Sequence, residues 1–104
     1  MAYKVTRTYT LPENADVTHY SEPAAYREWF EENWAGGGRH IRTETSISED
    51  GRTLTKNVFF CDNTAFLEFC HEPEVVAVTA DRLAYFAANN ITHNAIHSIV
   101  EDEE

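Results

Sequence analysis

Cysteine is scarce in this 104-residue sequence: Cys61 and Cys70 are the only two, and they lack the paired spacing of a redox or zinc motif. A disulfide scaffold is therefore excluded, and their aromatic settings, "VFFCDN" and "LEFCHE", suit reduced thiols acting as small, mostly buried hydrophobes. Long apolar runs are missing too. Nothing approaches the roughly 18 uninterrupted apolar residues of a membrane span, and the opening "MAYKVTRTYT" alternates without an apolar leader core. The expectation is a soluble, cytoplasmic protein with no membrane partner. Positive charge is short as well, with eight Lys and Arg against eighteen Asp and Glu, for a formal net charge of −10. Phosphate backbones would be repelled, and no aromatic-basic RNA-binding stretch offsets that, so a nucleic-acid partner is not expected.

Hydrophobic residues make up 42% of the chain, including two Trp, five Tyr and six Phe, which is ample for one packed core. We expect a single α+β domain over residues 1–100 and a solvated acidic tail over 101–104.

The order of elements follows from periodicity. "YKVTRTYTL" places Tyr3, Val5, Arg7, Tyr9 and Leu11 on one side and Lys4, Thr6, Thr8 and Thr10 on the other, the two-residue period of a strand. After Pro12 and a polar loop, Ser21 is the expected N-cap and Pro23 falls in the first helical turn. Tyr26, Trp29, Phe30, Asn33 and Trp34 then recur at helical spacing, while Arg27, Glu28, Glu31 and Glu32 take the wet face. "AGGG" at 35–38 stops that helix.

Two β-rich runs, "RHIRTETSIS" and "RTLTKNVFFC", flank Asp50-Gly51, a dipeptide suited to a tight hairpin turn. With those two as the loop, Ile47 pairs with Leu54, Thr43 with Val58 and Ile41 with Phe60 on the core face. His40, Arg42, Glu44 and Ser46 lie on the other face, with Thr53, Thr55, Asn57, Phe59 and Cys61. Asp62 or Asn63 then caps a helix through Phe66, Leu67, Phe69 and Cys70, and Pro73 breaks or restarts it. The second piece carries an apolar stripe of Val76, Ala80, Leu83 and Ala87, widened by Tyr85 and Phe86, and ends at Asn89-Asn90. "ITHNAIHSIV" at 91–100 closes the chain as a fourth strand. The order β-α-β-β-α-β folds most readily into a four-stranded antiparallel sheet with the helices on one face, the ferredoxin-like arrangement.

His93 and His97 would share a metal ion if that last segment were helical, where an i,i+4 pair is about 5–6 Å apart at Cβ. In a strand the same spacing separates the Cα atoms by about 13 Å, so no metal site is expected, and no cofactor is implied. Sequence leaves open which side of the strand carries the two rings. Neither parity of this strand is plainly wet, and "NVFFC" turns Phe59 away from the helices. The outer sheet face therefore needs a cover, for which a second copy of the chain is the simplest candidate.

With this length, the helix break at Pro73, the "DRLAYFAANNI" helix end and a partly apolar outer sheet face, the chain resembles the dimeric α/β-barrel superfamily, which includes antibiotic-biosynthesis-type monooxygenases. The resemblance implies a homodimer formed through the outer sheet faces and a small-molecule cavity between helices and sheet. It does not choose a chemistry.

The expected walls of such a cavity are Trp29, Phe30 and Trp34 on the first helix, Arg7 and Tyr9 on the first strand, and Tyr85. His97 joins them if it faces the helices. A guanidinium amid the apolar face of strand one must pair with an acidic side chain, reach water at the sheet edge, or hold a ligand carboxylate. Cys70 and His71 point about 100° apart on a helix and form no nucleophile–base pair. Two functions fit: a homodimer that binds a small apolar or aromatic ligand without catalysis, or a cofactor-free monooxygenase- or isomerase-like enzyme using His97 or a tyrosine as proton carrier.

Overall fold

The computed structural model describes residues 2–13 and 16–101; the expected acidic tail lies outside them apart from Glu101. The elements run β1 (Ala2–Thr10), α1 (Ala24–Asn33), β2 (His40–Ile47), β3 (Thr53–Phe60), α2 (Asn63–His71), α3 (Pro73–Asn89) and β4 (Thr92–Val100). The strands form one antiparallel sheet in the order β2-β3-β1-β4. This is the ferredoxin-like α+β fold, with its second helix divided in two at Pro73.

Local chemistry explains most boundaries. Asp62 caps α2 by accepting the Ala65 amide at 2.8 Å, and Pro73 opens α3, where its missing N–H has no intrahelical partner to lose. Asn90 ends α3 in the left-handed conformation at φ 56°. At α1 the expected cap differs: Pro23 itself stands at the N-cap position and no side chain caps the helix, so Ser21 plays no part. The hairpin loop is also wider than expected. Ser48 and Asp50 capture the Thr53 and Arg52 amides with their side chains, at 3.0 Å each, and Gly51 turns the chain at φ +75°. Register is unaffected, with Ile47 opposite Leu54 and Thr43 opposite Val58.

Beyond Thr43 the register does shift. A bulge between His40 and Arg42 puts His40, not Ile41, opposite Phe60. His40 is consequently buried on the helix side, 4% exposed, although the alternation had placed it outside. Its ring is held by hydrogen bonds and by aromatic neighbours. The Gly36 amide donates to Nδ1 at 3.3 Å, Nε2 lies 2.8 Å from Thr43 Oγ1, and Phe30 meets the ring edge-on at 5.0 Å. Because the amide can only donate, Nδ1 accepts and the ring is neutral with its proton on Nε2.

All three helices cover the face of β1 that carries Val5, Arg7 and Tyr9. Under α2 and the end of α1, Val5, Trp34, Phe60, Ala65 and Phe66 form one core cluster; near the end of α3, Tyr9, Phe86 and Ile91 form a second. β4 lies beside β1 with His93 and His97 both toward the helices, which settles their direction. On the outer face Phe59 is not bare: the Arg42 guanidinium stacks 3.9 Å from its ring centre and the Lys4 ammonium stands 5.8 Å away. Thr6, Thr8 and Thr10 of β1 share that outer face, where the alternation of the strand puts them.

Candidate functional site

Between the two clusters the interior is not closed. A cleft of about 550 Å³ lies between the sheet, α1 and α3, with Arg7, Tyr9, Thr43, Lys56 and Val58 as its floor. Tyr26 and Phe30 of α1 form one wall, and Val76, Ala80 and Leu83 of α3 the other, with Phe69 and Cys70 closing the α2 end. None of the ten residues of α1 is fully buried: Trp29 and Phe30 pack against the first core cluster, while Tyr26 and Phe30 border the cleft.

Helix α3 contributes the cleft in a way its apolar stripe conceals. Val75, Val78 and Phe86 are its buried residues, and Thr79 and Arg82 are partly buried between them. The stripe expected to be buried, Val76, Ala80, Leu83 and Ala87, is exposed, with Val76 and Leu83 at 55% and 45%. Three of its members border the cleft and stay accessible for that reason.

The floor is cationic. Arg7 and Lys56 are direct cross-strand partners on the helix side, both partly buried, and neither has an ion-pair partner among the described residues. Arg82 adds a third cation, 15% exposed and 3.9 Å from the carboxylate of Glu22. The loop carrying Glu22 is tied to α3 by Tyr20, which donates to Asp81 at 2.6 Å, and by the Tyr85 hydroxyl, which donates to the Thr18 carbonyl at 2.8 Å. Three of the eight basic side chains of a strongly acidic chain thus meet at one cleft with a single carboxylate beside them.

The cleft keeps the Tyr26 hydroxyl and the Cys70 thiol protonated. Burial, with Glu22 next, pushes the Tyr26 hydroxyl up to about 12, against the opposing pull of Arg82 and Arg7. Burial likewise raises the Cys70 thiol despite Arg7 nearby. At neutral pH Tyr26 can donate a hydrogen bond, but neither group is an ionised base or nucleophile.

Of the seven residues that the sequence points to as walls, Arg7, Tyr9 and Phe30 line this cleft and four lie elsewhere. Trp34 is core, 2% exposed, with its indole N–H donating to Glu72 at 2.9 Å and Arg39 stacked on its ring at 3.8 Å. Trp29 packs against Tyr26 and Phe69. Tyr85 ties the loop already described. His97 sits on the edge strand with Nδ1 2.8 Å from the Tyr3 hydroxyl, its ring against Phe66. His93, one strand-turn away, packs on Phe86, so the two imidazoles belong to different clusters. Lys56, Arg82 and Tyr26 were missed as site residues. For Lys56 the signal was present, since the hairpin register fixed its parity with Val58.

No protein-family description matches the sequence, and no curated protein does. Solved structures do. A point mutant of SnoaB, a cofactor-independent oxygenase from Streptomyces nogalater, superposes with a TM-score of 0.62 at 12% identity, covering 98% of this chain and 95% of that one. A dimeric protein of unknown function and ferredoxin-like fold from Bacteroides fragilis gives 0.54 at 10% identity, covering 93% and 94%. A dabb family protein with a ferredoxin-like fold from Mesorhizobium loti gives 0.51 at 15% identity, covering 95% and 98%. The fold is theirs. At these identities the likeness extends to architecture, including the resemblance expected from the sequence, and no further.

Proposed function

We propose that this chain is a small cytoplasmic homodimer that binds an apolar or aromatic small molecule in the cleft between helices and sheet, without a metal or cofactor. The observation that carries this reading is the cleft itself: about 550 Å³ of unfilled space walled by Tyr26, Phe30, Phe69 and Leu83, within the size range of small-molecule sites. Self-association is supported by Ile96 on the outer sheet face and Ile99 on the edge strand β4, 58% and 64% exposed, and by the dimeric description of the Bacteroides neighbour. No described helix is long and apolar enough to cross a membrane.

The test is binding of the neutral dye N-phenyl-1-naphthylamine. Saturable fluorescence enhancement at one dye per chain is expected, and Ala80→Trp, which places an indole in the cleft from an exposed helix position, should abolish it. Unchanged binding by Ala80→Trp would move the site elsewhere. Light scattering should give twice the chain mass; a monomer at micromolar concentration would remove the dimer.

A second reading, a cofactor-free oxygenase or isomerase, is favoured by the description of SnoaB. Against it stand the raised Tyr26 and Cys70 and a cleft lining that holds no histidine among the described residues. Glu22, engaged by Arg82, is the remaining candidate base.

A further inference from the structure

Arg7 and Lys56 pose a physical question that an apolar ligand does not answer. Like charges directly opposite on neighbouring antiparallel strands, about 5 Å apart at Cβ, destabilise a sheet. Here they stand on its covered side and partly buried, in a chain with eighteen acidic side chains of which none reaches either one among the described residues. Val5 and Tyr9, their neighbours on the same face of β1, are sealed at 1% and 8% exposure. The charges therefore occupy the part of this face that opens onto the cleft.

Resting on the ligand-binding reading above, we propose that the ligand is an aromatic acid bound as its anion, with the anionic group between the Arg7 guanidinium and the Lys56 ammonium and the rings between Tyr26, Phe30 and Leu83. Arg7 offers a planar fork of donors to an oxyanion and Lys56 a mobile point charge. The protonated hydroxyl of Tyr26 supplies a further donor near the same charges, and Arg82, already paired with Glu22, closes the cationic side without competing for the ligand. A neutral aromatic fits the walls equally well but leaves both cations facing each other unrelieved. The net charge of −10 makes the preference diagnostic, because the molecule as a whole repels anions and only a local site can reverse that.

The experiment compares 8-anilinonaphthalene-1-sulfonate with N-phenyl-1-naphthylamine, the same ring system without the sulfonate, on the full chain at low ionic strength. The anionic dye should bind roughly tenfold tighter or more, the scale of one charge-assisted contact, and its advantage should shrink with added salt. Lys56→Gln and Arg7→Gln should each bring the affinities of the two dyes together, a change in their ratio that a merely misfolded variant would not give. Equal affinity of wild type for the two dyes would overturn the anion assignment while leaving the cleft as a ligand site. Failure of both dyes to bind, or equal binding by Ala80→Trp, would overturn the cleft reading and this inference with it. Should Arg7→Gln fail to fold, Lys56→Gln alone decides.

Discussion

Val5 and Arg7 stand two residues apart on one face of β1, yet they belong to different kinds of interior. Around Val5 the space is full: Trp34, Phe60 and Phe66 meet there, with Phe60 and Trp34 edge-on at 6.5 Å and Phe60 and Phe66 at 5.5 Å. Around Arg7 it is open and charged, between Tyr26 and Phe30 on one side and Val76, Ala80 and Leu83 on the other. One sheet carries both, but α2 and the end of α1 seal the first region, whereas α1 and α3 stand either side of the second. A closed cluster is held by burial and ring contacts whose removal leaves a void. An open cleft contributes little to stability, and residues there are free to be placed for a ligand.

Mutations should separate the two regions by sign as well as size. Trp34→Ala should have the largest effect, a loss of about 3–5 kcal/mol in urea unfolding, since it empties the closed cluster and strands the Glu72 carboxylate. A loss below about 1 kcal/mol would mean the cluster is not the stabilising half.

His40, at the border of the closed region, comes next. Its replacement by Gln should cost about 1–3 kcal/mol through the lost Gly36 and Thr43 contacts. It should also change the pH response. Burial lowers the His40 pKa below its ordinary 6.5, so the unfolded chain binds the extra proton first. This contribution is fully present above about pH 6.5 and is lost as the pH falls through that value toward the folded pKa. Wild type should therefore lose stability faster than His40→Gln between pH 7 and 5, and parallel curves would contradict the neutral assignment.

The smallest effect should have the opposite sign. Lys56→Gln in the ligand-free protein should raise stability by about 0.2–1 kcal/mol at low salt, by relieving the charge opposite Arg7, with the gain fading as salt is added. Destabilisation would show that Lys56 has a structural partner.

The sequence carried the closed region well and the open one poorly, for a physical reason. Period-two alternation placed Val5 and Tyr9 on one face, Asp62 and Pro73 marked their helix starts, and Asn90 marked an end, because each is a local event of a few residues. The bulge at His40 escaped because an extra residue in one strand is set by what the Gly36 amide and Phe30 offer from outside it. On α3 the apolar line of the sequence runs through Val76, Ala80 and Leu83, which are exposed. The inward line includes Thr79 and Arg82, whose polarity disqualified them as core and should have flagged them as site. Arg7 was singled out for the same incongruity, a charge on a buried face. Trp34 and Tyr85 drew notice only as large aromatics, and their indole and hydroxyl are occupied by Glu72 and Thr18.

The most direct measurement is a crystal structure of the full chain with 8-anilinonaphthalene-1-sulfonate bound. The dye is expected in the helix–sheet cleft, its sulfonate oxygens within hydrogen-bonding distance of Arg7 and Lys56 and its rings against Tyr26 and Phe30. A dye on the outer face beside Phe59, or one in the cleft with its sulfonate turned to solvent, would contradict this placement.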